Sequence, residues 1–430
     1  MPRTGRLAYP GAVPVPPLRP LPVRLIHTAD WHLGHALHGF GREQEHARFL
    51  DWLLDRLEEH RADALVVAGD VFDGQNPPVS ALTQFYRFLA QARLRLPHLQ
   101  TVVVAGNHDS GTRLEAPSPL LAELGVRVVG GVARGADGTL DAARLVVPLR
   151  DRTGEVAARC VAMPYLRMGD LPPLEHEDPL VEGVRRLYAD ATAIGRAHLR
   201  PAEALLLTGH CYMRGGSLSE LSERKILGGN LHALPVDIFA EEAAYVALGH
   251  LHRPQAVGGR EQVRYSGSPI PLALDEEPYP HQVMLAEFAA GRLVEREALW
   301  VPRAVGIRRI NADSPDEALA ALARLELDAG LPRDAWPYLE VTVALPAPRP
   351  GLREEVEQVL AGRPVRLCKL SVRLTGAGGA LAEADAGADL TDLSPEDVFL
   401  KLHARDHEEP PRPDLLAAFR ALVERVEEQA

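Results

Sequence analysis

One junction recurs along this chain and constrains its fold more than any other feature: an apolar run stops at a glycine and then presents Asp, Asn or His. It occurs in "ALVVAGDVFDG" (64–74), "TVVVAGNHDSG" (101–111), "ALLLTGHCYM" (204–213) and "AYVALGHLHRP" (244–254), and without the glycine in "LIHTADWHLG" (25–34). Short, unbroken aliphatic runs bounded by turn residues read as strands buried on both faces. Between them lie helical patterns. "EHARFLDWLLDRLEEH" (45–60) places Phe49, Leu50, Leu53, Leu54 and Leu57 on one face, and "SALTQFYRFLAQARL" (80–94) is helical as well. Alternating strands and helices predict an α/β sheet. The closely spaced runs "ARCVAMPYL", "VRYSGSPI" and "QVMLAEF" predict a second sheet.

With 430 residues, the chain has room for two or three domains. Its formal charge of −12 argues against nucleic-acid binding by bulk electrostatics alone. No apolar stretch reaches membrane length. Prolines interrupt the opening "MPRTGRLAYPGAVPVPPLRPLP", so residues 1–22 read as a disordered Pro-rich extension. Cys160, Cys211 and Cys368 are scattered and lack metal spacing, which suits a reducing cytoplasmic compartment.

Ligands gather beyond the carboxyl ends of strands in open α/β sheets, and glycine before a ligand permits close backbone approach. In an extended stretch residues i and i+2 face one side. Asp30 and His32 are therefore expected to project together, as are His250 and His252, while Asp70 and Asp73 converge across a turn. The candidate metal ligands are Asp30, His32, Asp70, Asn107, His210, His250 and His252. Two carboxylates, one amide and four neutral imidazoles leave two divalent cations with net positive charge, which suits an anionic phosphodiester. Mixed imidazole and oxygen donors favour manganese, iron or zinc over magnesium, and the absence of thiolates argues against a structural zinc site.

D-x-H, G-D-x-x-D, G-N-H-D, G-H and G-H-x-H, in this order, resemble the calcineurin-like metallophosphoesterase superfamily. "HTADWHLG", "GDVFD", "GNHDS", "GHLH" and "YSGSPIP" resemble, more narrowly, its bacterial DNA-end-processing nuclease branch. The resemblance implies a two-sheet sandwich flanked by helices, two divalent metals (most simply Mn²⁺), and Asp30, His32 and His252 on one metal. Asn107, His210 and His250 would hold the other, with Asp70 bridging. It implies that His108 acts on the phosphate or leaving oxygen and that Asp73 orients His108. Archaeal and eukaryotic members often carry His at the Asp73 position; this chain follows the bacterial pattern. The implied partners are DNA, an SMC-type ATPase and a second copy of the chain. The implied layout is a nuclease domain at 23–303, a small α/β capping domain at 304–375, a linker at 376–393 and a helical partner-binding segment at 394–430. Two other functions share these motifs: a small-substrate phosphatase or cyclic-nucleotide phosphodiesterase, and a non-catalytic DNA-end scaffold.

Plainer roles fit the remaining residues. Asp109 reads as a loop-fixing acceptor, His27 as a core histidine, His35 and His38 as surface or channel residues, and Cys211 as a packing residue. "SERK" (222–225) and "YSGS" (265–268) are either turns or contacts to a nucleic-acid backbone. Phe85, Tyr86 and Phe88 serve either the core or a homodimer face.

Overall fold

The computed structural model describes residues 21–217 and 233–375, apart from 174, 175, 177 and 348, together with scattered helical positions between 396 and 423. The extension at 1–20, the "SERK" segment, the linker at 376–393 and most of 394–430 lie outside the described residues.

In chain order the first and larger part of the chain contains β1 (Val23–Thr28), a short hairpin of β2 (Ala36–Leu37) and β3 (Phe40–Gly41), helix α1 (Glu43–Glu59), β4 (Ala64–Ala68), helix α2 (Val79–Arg95), β5 (Gln100–Val104) and β6 (Val126–Val129). There follow β7 (Val146–Arg150), β8 (Val156–Val161), β9 (Ala204–His210), β10 (Tyr245–Gly249), β11 (Gln255–Val257), β12 (Arg260–Tyr265), β13 (Gln282–Ala289) and β14 (Arg292–Trp300). These make two six-stranded sheets, ordered β14-β13-β1-β4-β5-β6 and β11-β12-β10-β9-β8-β7. Strands β1, β4, β5 and β6 run parallel, as do β8, β9, β10 and β12.

Side-chain alternation explains how the sheets are covered. Leu25, Val66, Val102 and Val104 face the second sheet and share a core with Leu206 and Tyr245. Their neighbours Ile26, Val67 and Val103 face outward against Phe49, Leu53 and Leu57 of α1 and Phe85 and Phe88 of α2. The helical spacing seen in the sequence is thus the face that α1 buries. Trp31 meets Phe85 and Phe88 edge-on at 6.3 and 5.4 Å between ring centres. Those two aromatics serve the core, and the outward apolar residues of α2 are Val79 and Leu94. Helix Pro179–His198 covers the second sheet through Val184, Leu187 and Tyr188.

Beyond the sandwich, β15 (Ile307–Ala312), β16 (Tyr338–Leu345) and β17 (Arg366–Leu374) form a parallel three-stranded sheet. Two helices, Pro315–Arg324 and Leu352–Leu360, cover it around a core of its own. No described helix is long and apolar enough to cross a membrane.

Candidate metal centre

All seven expected ligands sit at the carboxyl ends of parallel strands: β1, β4 and β5 in the first sheet, β9 and β10 in the second. The sheets meet at this rim. A methyl group at Gly249, the last residue of β10, would lie 2.0 Å from the Ala68 carbonyl oxygen on β4, and one at Gly69 would lie 2.2 Å from His210 Nδ1. Only glycine lets the strand ends approach this closely. Asp30 and His32 converge, but not because the stretch is extended. Asp30, His32, Asp70 and His250 all have positive φ, at 54°, 47°, 49° and 104°, so tight left-handed turns aim them inward. For Asp30 and His32 the alternation rule named a pair that does meet, but through the wrong backbone.

Donor distances describe a cluster compatible with enclosing cations. His210 Nε2 lies 3.0 Å from Asn107 Oδ1 and 3.2 Å from Asp70 Oδ2, and His250 Nδ1 lies 3.0 Å from the same Asn107 oxygen. His32 Nε2 approaches Asp70 Oδ2 from the other side at 3.5 Å. Ligand atoms of Asp30, His32 and His252 fall within 4.8 Å of one another, as do those of Asp30, Asp70 and His210. Neighbouring donors around a six-coordinate ion with bonds of about 2.1 Å are separated by about 3 Å. Asp70 Oδ2 thus stands between two groups of donors.

Tautomers add a second test. His210 Nδ1 donates to the Ala68 carbonyl at 2.9 Å, so in the neutral ring the Nε2 lone pair confronts two further oxygen lone pairs. That arrangement requires a proton or a metal ion. Asp30 Oδ2, His32 Nε2 and His108 Nε2 are buried with no hydrogen-bond partner among the described residues, and such groups are costly unless something satisfies them. The titration directions agree. Burial raises the Asp30 carboxyl to about 6. Desolvation opposes charge on Asp70, yet His210 and His108 hold its carboxyl well below the usual range. Desolvation also opposes charge on His210, but Asp70 lifts the imidazole to about 9. Around Asp30, Asp70 and His210 the field favours added positive charge, whereas burial and the neighbouring His210 push His250 down to about 3; the donor set fits two divalent ions.

Similarity to known proteins extends over most of the chain. The family model described as "Calcineurin-like phosphoesterase" matches residues 23–254, which include every ligand candidate. The SbcD component of the SbcCD nuclease from Rhodobacter capsulatus is 41% identical over 387 residues, covering 88% of this chain and 93% of that protein. The chain belongs to the SbcD family. The SbcD proteins of Escherichia coli K12 and Bacillus subtilis 168 are each 33% identical, covering 88% and 75% of this chain and 92% and 80% of their own lengths. A second family model, "Type 5 capsule protein repressor C-terminal domain", matches residues 303–407.

Within this SbcD-family site, some neighbours of the ligands take roles that the motifs do not disclose. The Asp73 carboxylate reaches His32 Nδ1 at 3.1 Å, whereas His108 Nδ1 donates to the Asp73 backbone carbonyl at 2.9 Å. Asp73 therefore holds His108 through its main chain and His32 through its side chain; the expected carboxylate contact to His108 is not the one formed. Asp109 accepts from the backbone N–H groups of Gly106, Val71 and Phe72, locking the β4 and β5 loops together. His27 lies between the Tyr245 hydroxyl and the Leu248 carbonyl. His35 is half-buried with its Nδ1 enclosed, while His38 is exposed. Ser266 and Ser268 are buried, so "YSGS" is a packed turn against His252 rather than an open contact surface. The sequence does not single out Glu276, because "LDEEP" reads as a solvated acidic turn. The residue is fully buried and accepts from His252 Nδ1 at 2.7 Å.

Proposed function

We propose that this chain is a two-metal, manganese-using DNA nuclease acting as the SbcD component beside an SbcC-like SMC-type ATPase. The observation that carries this reading is the convergence of seven donors from two sheets, with Asp70 at their centre and His108 beside them. Asp30, His32 and His252 would hold one ion and Asn107, His210 and His250 the other, with Asp70 shared. Bound there, a pair of divalent ions would activate a water and stabilise the attacking and leaving oxygens of a phosphodiester.

The protein's own groups supply positioning and proton control. Asp30 Oδ1 accepts the His250 backbone N–H at 2.9 Å, and Asp70 Oδ1 accepts that of His108 at 2.9 Å. Each of these carboxylates therefore fixes another loop of the site while its second oxygen remains for the cation. His108 Nδ1 is occupied by a carbonyl, so Nε2 is the nitrogen that can face a substrate phosphate. A ring held in that orientation can donate a proton to a departing oxygen.

A DNA substrate is favoured over a small phosphoester by the names of the relatives, which are nuclease components of a two-part complex. The extra three-stranded unit also favours it, since a small-substrate phosphatase has no need of one. On this reading residues 23–303 are the nuclease domain, 304–375 cap it and 394–430 dock the ATPase. Its activities would be exonucleolytic on duplex ends and endonucleolytic on single strands and hairpins. A homodimer would use the outer face of α2, where Val79 and Leu94 are exposed. The test supplies purified chain and manganese with linear duplex DNA and, in parallel, a chromogenic phosphomonoester. Cleavage of DNA is expected; phosphomonoester turnover with intact DNA would overturn the proposal.

A further inference from the structure

The buried carboxylate of Glu276 lies outside the expected ligand set, yet its surroundings are as constrained as those of the ligands. Its Oε1 accepts from His252 Nδ1 at 2.7 Å and its Oε2 from the Leu272 backbone N–H at 2.7 Å. The carboxylate is fully buried, as is Leu274 in the same short turn, Leu274–Glu276. Three supports hold that turn. From the β12 side, the Ser268 N–H donates to the His252 carbonyl at 3.0 Å, and the His281 ring sits 2.9 and 3.1 Å from the carbonyls of Ser268 and Glu276. Ahead of α1, the Arg42 guanidinium donates to the Pro271 carbonyl while pairing with Glu45 at 2.7 Å. From the small C-terminal sheet, Arg309 donates to the Leu274 carbonyl and pairs with Glu277 at 3.4 Å.

We propose that Glu276 is the positioning residue for His252, a carboxylate held so that it fixes which imidazole nitrogen ligates and strengthens that nitrogen as a donor. This rests on the dimetal reading above and adds an asymmetry to it. In the group of Asp30, His32 and His252, both histidines carry a carboxylate on Nδ1: Asp73 for His32 and Glu276 for His252. In the other group, His210 carries only a backbone carbonyl there. A carboxylate partner makes a ligating imidazole more basic and restricts its rotation, and its loss typically costs 10–100-fold in metal affinity. The Glu276 effect is therefore confined to one of the two ions. Arg309 and Tyr338, which donates to Glu45 Oε1 at 2.6 Å, place the small domain against the same support.

The test is calorimetric titration of manganese into the full chain and its Glu276→Gln variant, with melting temperatures recorded in chelator. Gln keeps the volume and an acceptor for His252 but removes the charge. The wild type should bind two equivalents. The variant should keep one near wild-type affinity and weaken the other 10–100-fold, with its chelator-state melting temperature little changed. Two equivalents at unchanged affinity, or equal weakening of both alongside a large loss of melting temperature, would overturn the proposal; the second result would indicate a purely structural acid. Should Glu276→Gln not fold, Glu276→Asp keeps the charge on a shorter arm and is judged by the same selective weakening. Failure of the unmodified chain to bind two equivalents would remove the dimetal reading and this proposal with it. That failure is distinguishable because it appears without any mutation.

Discussion

Gly249→Ala tests the junction that brings the two sheets together. The added methyl would meet the Ala68 carbonyl oxygen at 2.0 Å, Ala29 Cβ at 2.8 Å and His210 Nδ1 at 2.9 Å. Cβ atoms essentially never come within 3.0 Å of such neighbours; the nearest of the three is a backbone carbonyl and the next a methyl fixed directly to the main chain, so neither can swing aside. The ends of β4 and β10 must therefore separate by about 1 Å, while a metal constellation tolerates displacements of only about 0.5 Å. The donors at risk straddle the junction: Asp70 on one side, His210 and His250 on the other, with separations of 3.0–3.2 Å involving Asn107 and Asp70. Overpacking of this kind costs about 1–3 kcal/mol, a loss of a few degrees in melting temperature for a unit of this size. The larger effect should be on metal binding. Saturating manganese should raise the melting temperature of the wild type, because an ion that binds only the native state stabilises it; in Gly249→Ala that increment should largely disappear. Calorimetry should likewise show loss of the two-ion stoichiometry. A variant that bound two manganese ions within about threefold of wild-type affinity would refute the claim that this glycine sets the ligand geometry.

Three further perturbations address separate parts of the site. His108→Ser should leave two manganese equivalents bound and slow DNA cleavage by ~10²–10⁴-fold; collapse of metal affinity would instead make His108 a ligand. Asp70→Ala should remove both ions, because its Oδ2 stands between His32 and His210, and normal uptake of two equivalents would end the bridging assignment. His27 gives the pH dependence. Burial pushes its imidazole down to about 3, so below its ordinary value near 6.5 the unfolded chain binds the extra proton. Stability supported by the neutral ring is complete above about pH 6.5 and declines as pH falls towards 3, by up to about 1.4 kcal/mol per pH unit. His27→Asn should flatten the fall in urea midpoint between pH 6.5 and 4.5, and an unchanged slope would show that His27 does not contribute.

The strand ends were legible because burial on both faces leaves an unbroken aliphatic run, and because few contexts other than a ligand site end such runs repeatedly in Asp, Asn and His. Helices α1 and α2 were legible from the spacing of Phe49, Leu53 and Leu57, and of Phe85 and Phe88. Three-dimensional partnership was not. Nothing local distinguishes the carboxylate of Asp73 from its carbonyl, so the sequence could not show that His32 takes one and His108 the other. Glu276 was hidden for a related reason: Asp275, Glu276 and Glu277 form an acidic run, and only the packing of Leu274 beneath the small domain turns the middle acid inward. The aromatic residues of α2 were ambiguous because a helix face reads the same whether a core or a partner covers it.

The backbone of the proposed ligands explains why these residue types recur at the strand ends. Left-handed φ values outside glycine cost about 1–3 kcal/mol each, and Asp30, His32, Asp70 and His250 all have them. The combined penalty is comparable with the whole net stability of an ordinary domain, about 5–15 kcal/mol, so it persists only where neighbouring structure leaves no alternative. The ligand loops provide that restraint for one another. The Asp30 N–H donates to the Gly69 carbonyl at 3.0 Å and that of His32 to the Asp70 carbonyl at 3.1 Å, while the Asp30 carboxylate accepts the N–H of His250. Asp, Asn and His also enter the left-handed region more readily than other side chains. The residues that can ligate a metal are therefore those that tolerate the turns needed to aim them. His250, at 104°, lies furthest from the relaxed left-handed basin, and its restraint by the Asp30 carboxylate ties the second sheet's ligand directly to the first sheet's. That bond couples the two halves of the site through the backbone as well as through the donor cluster.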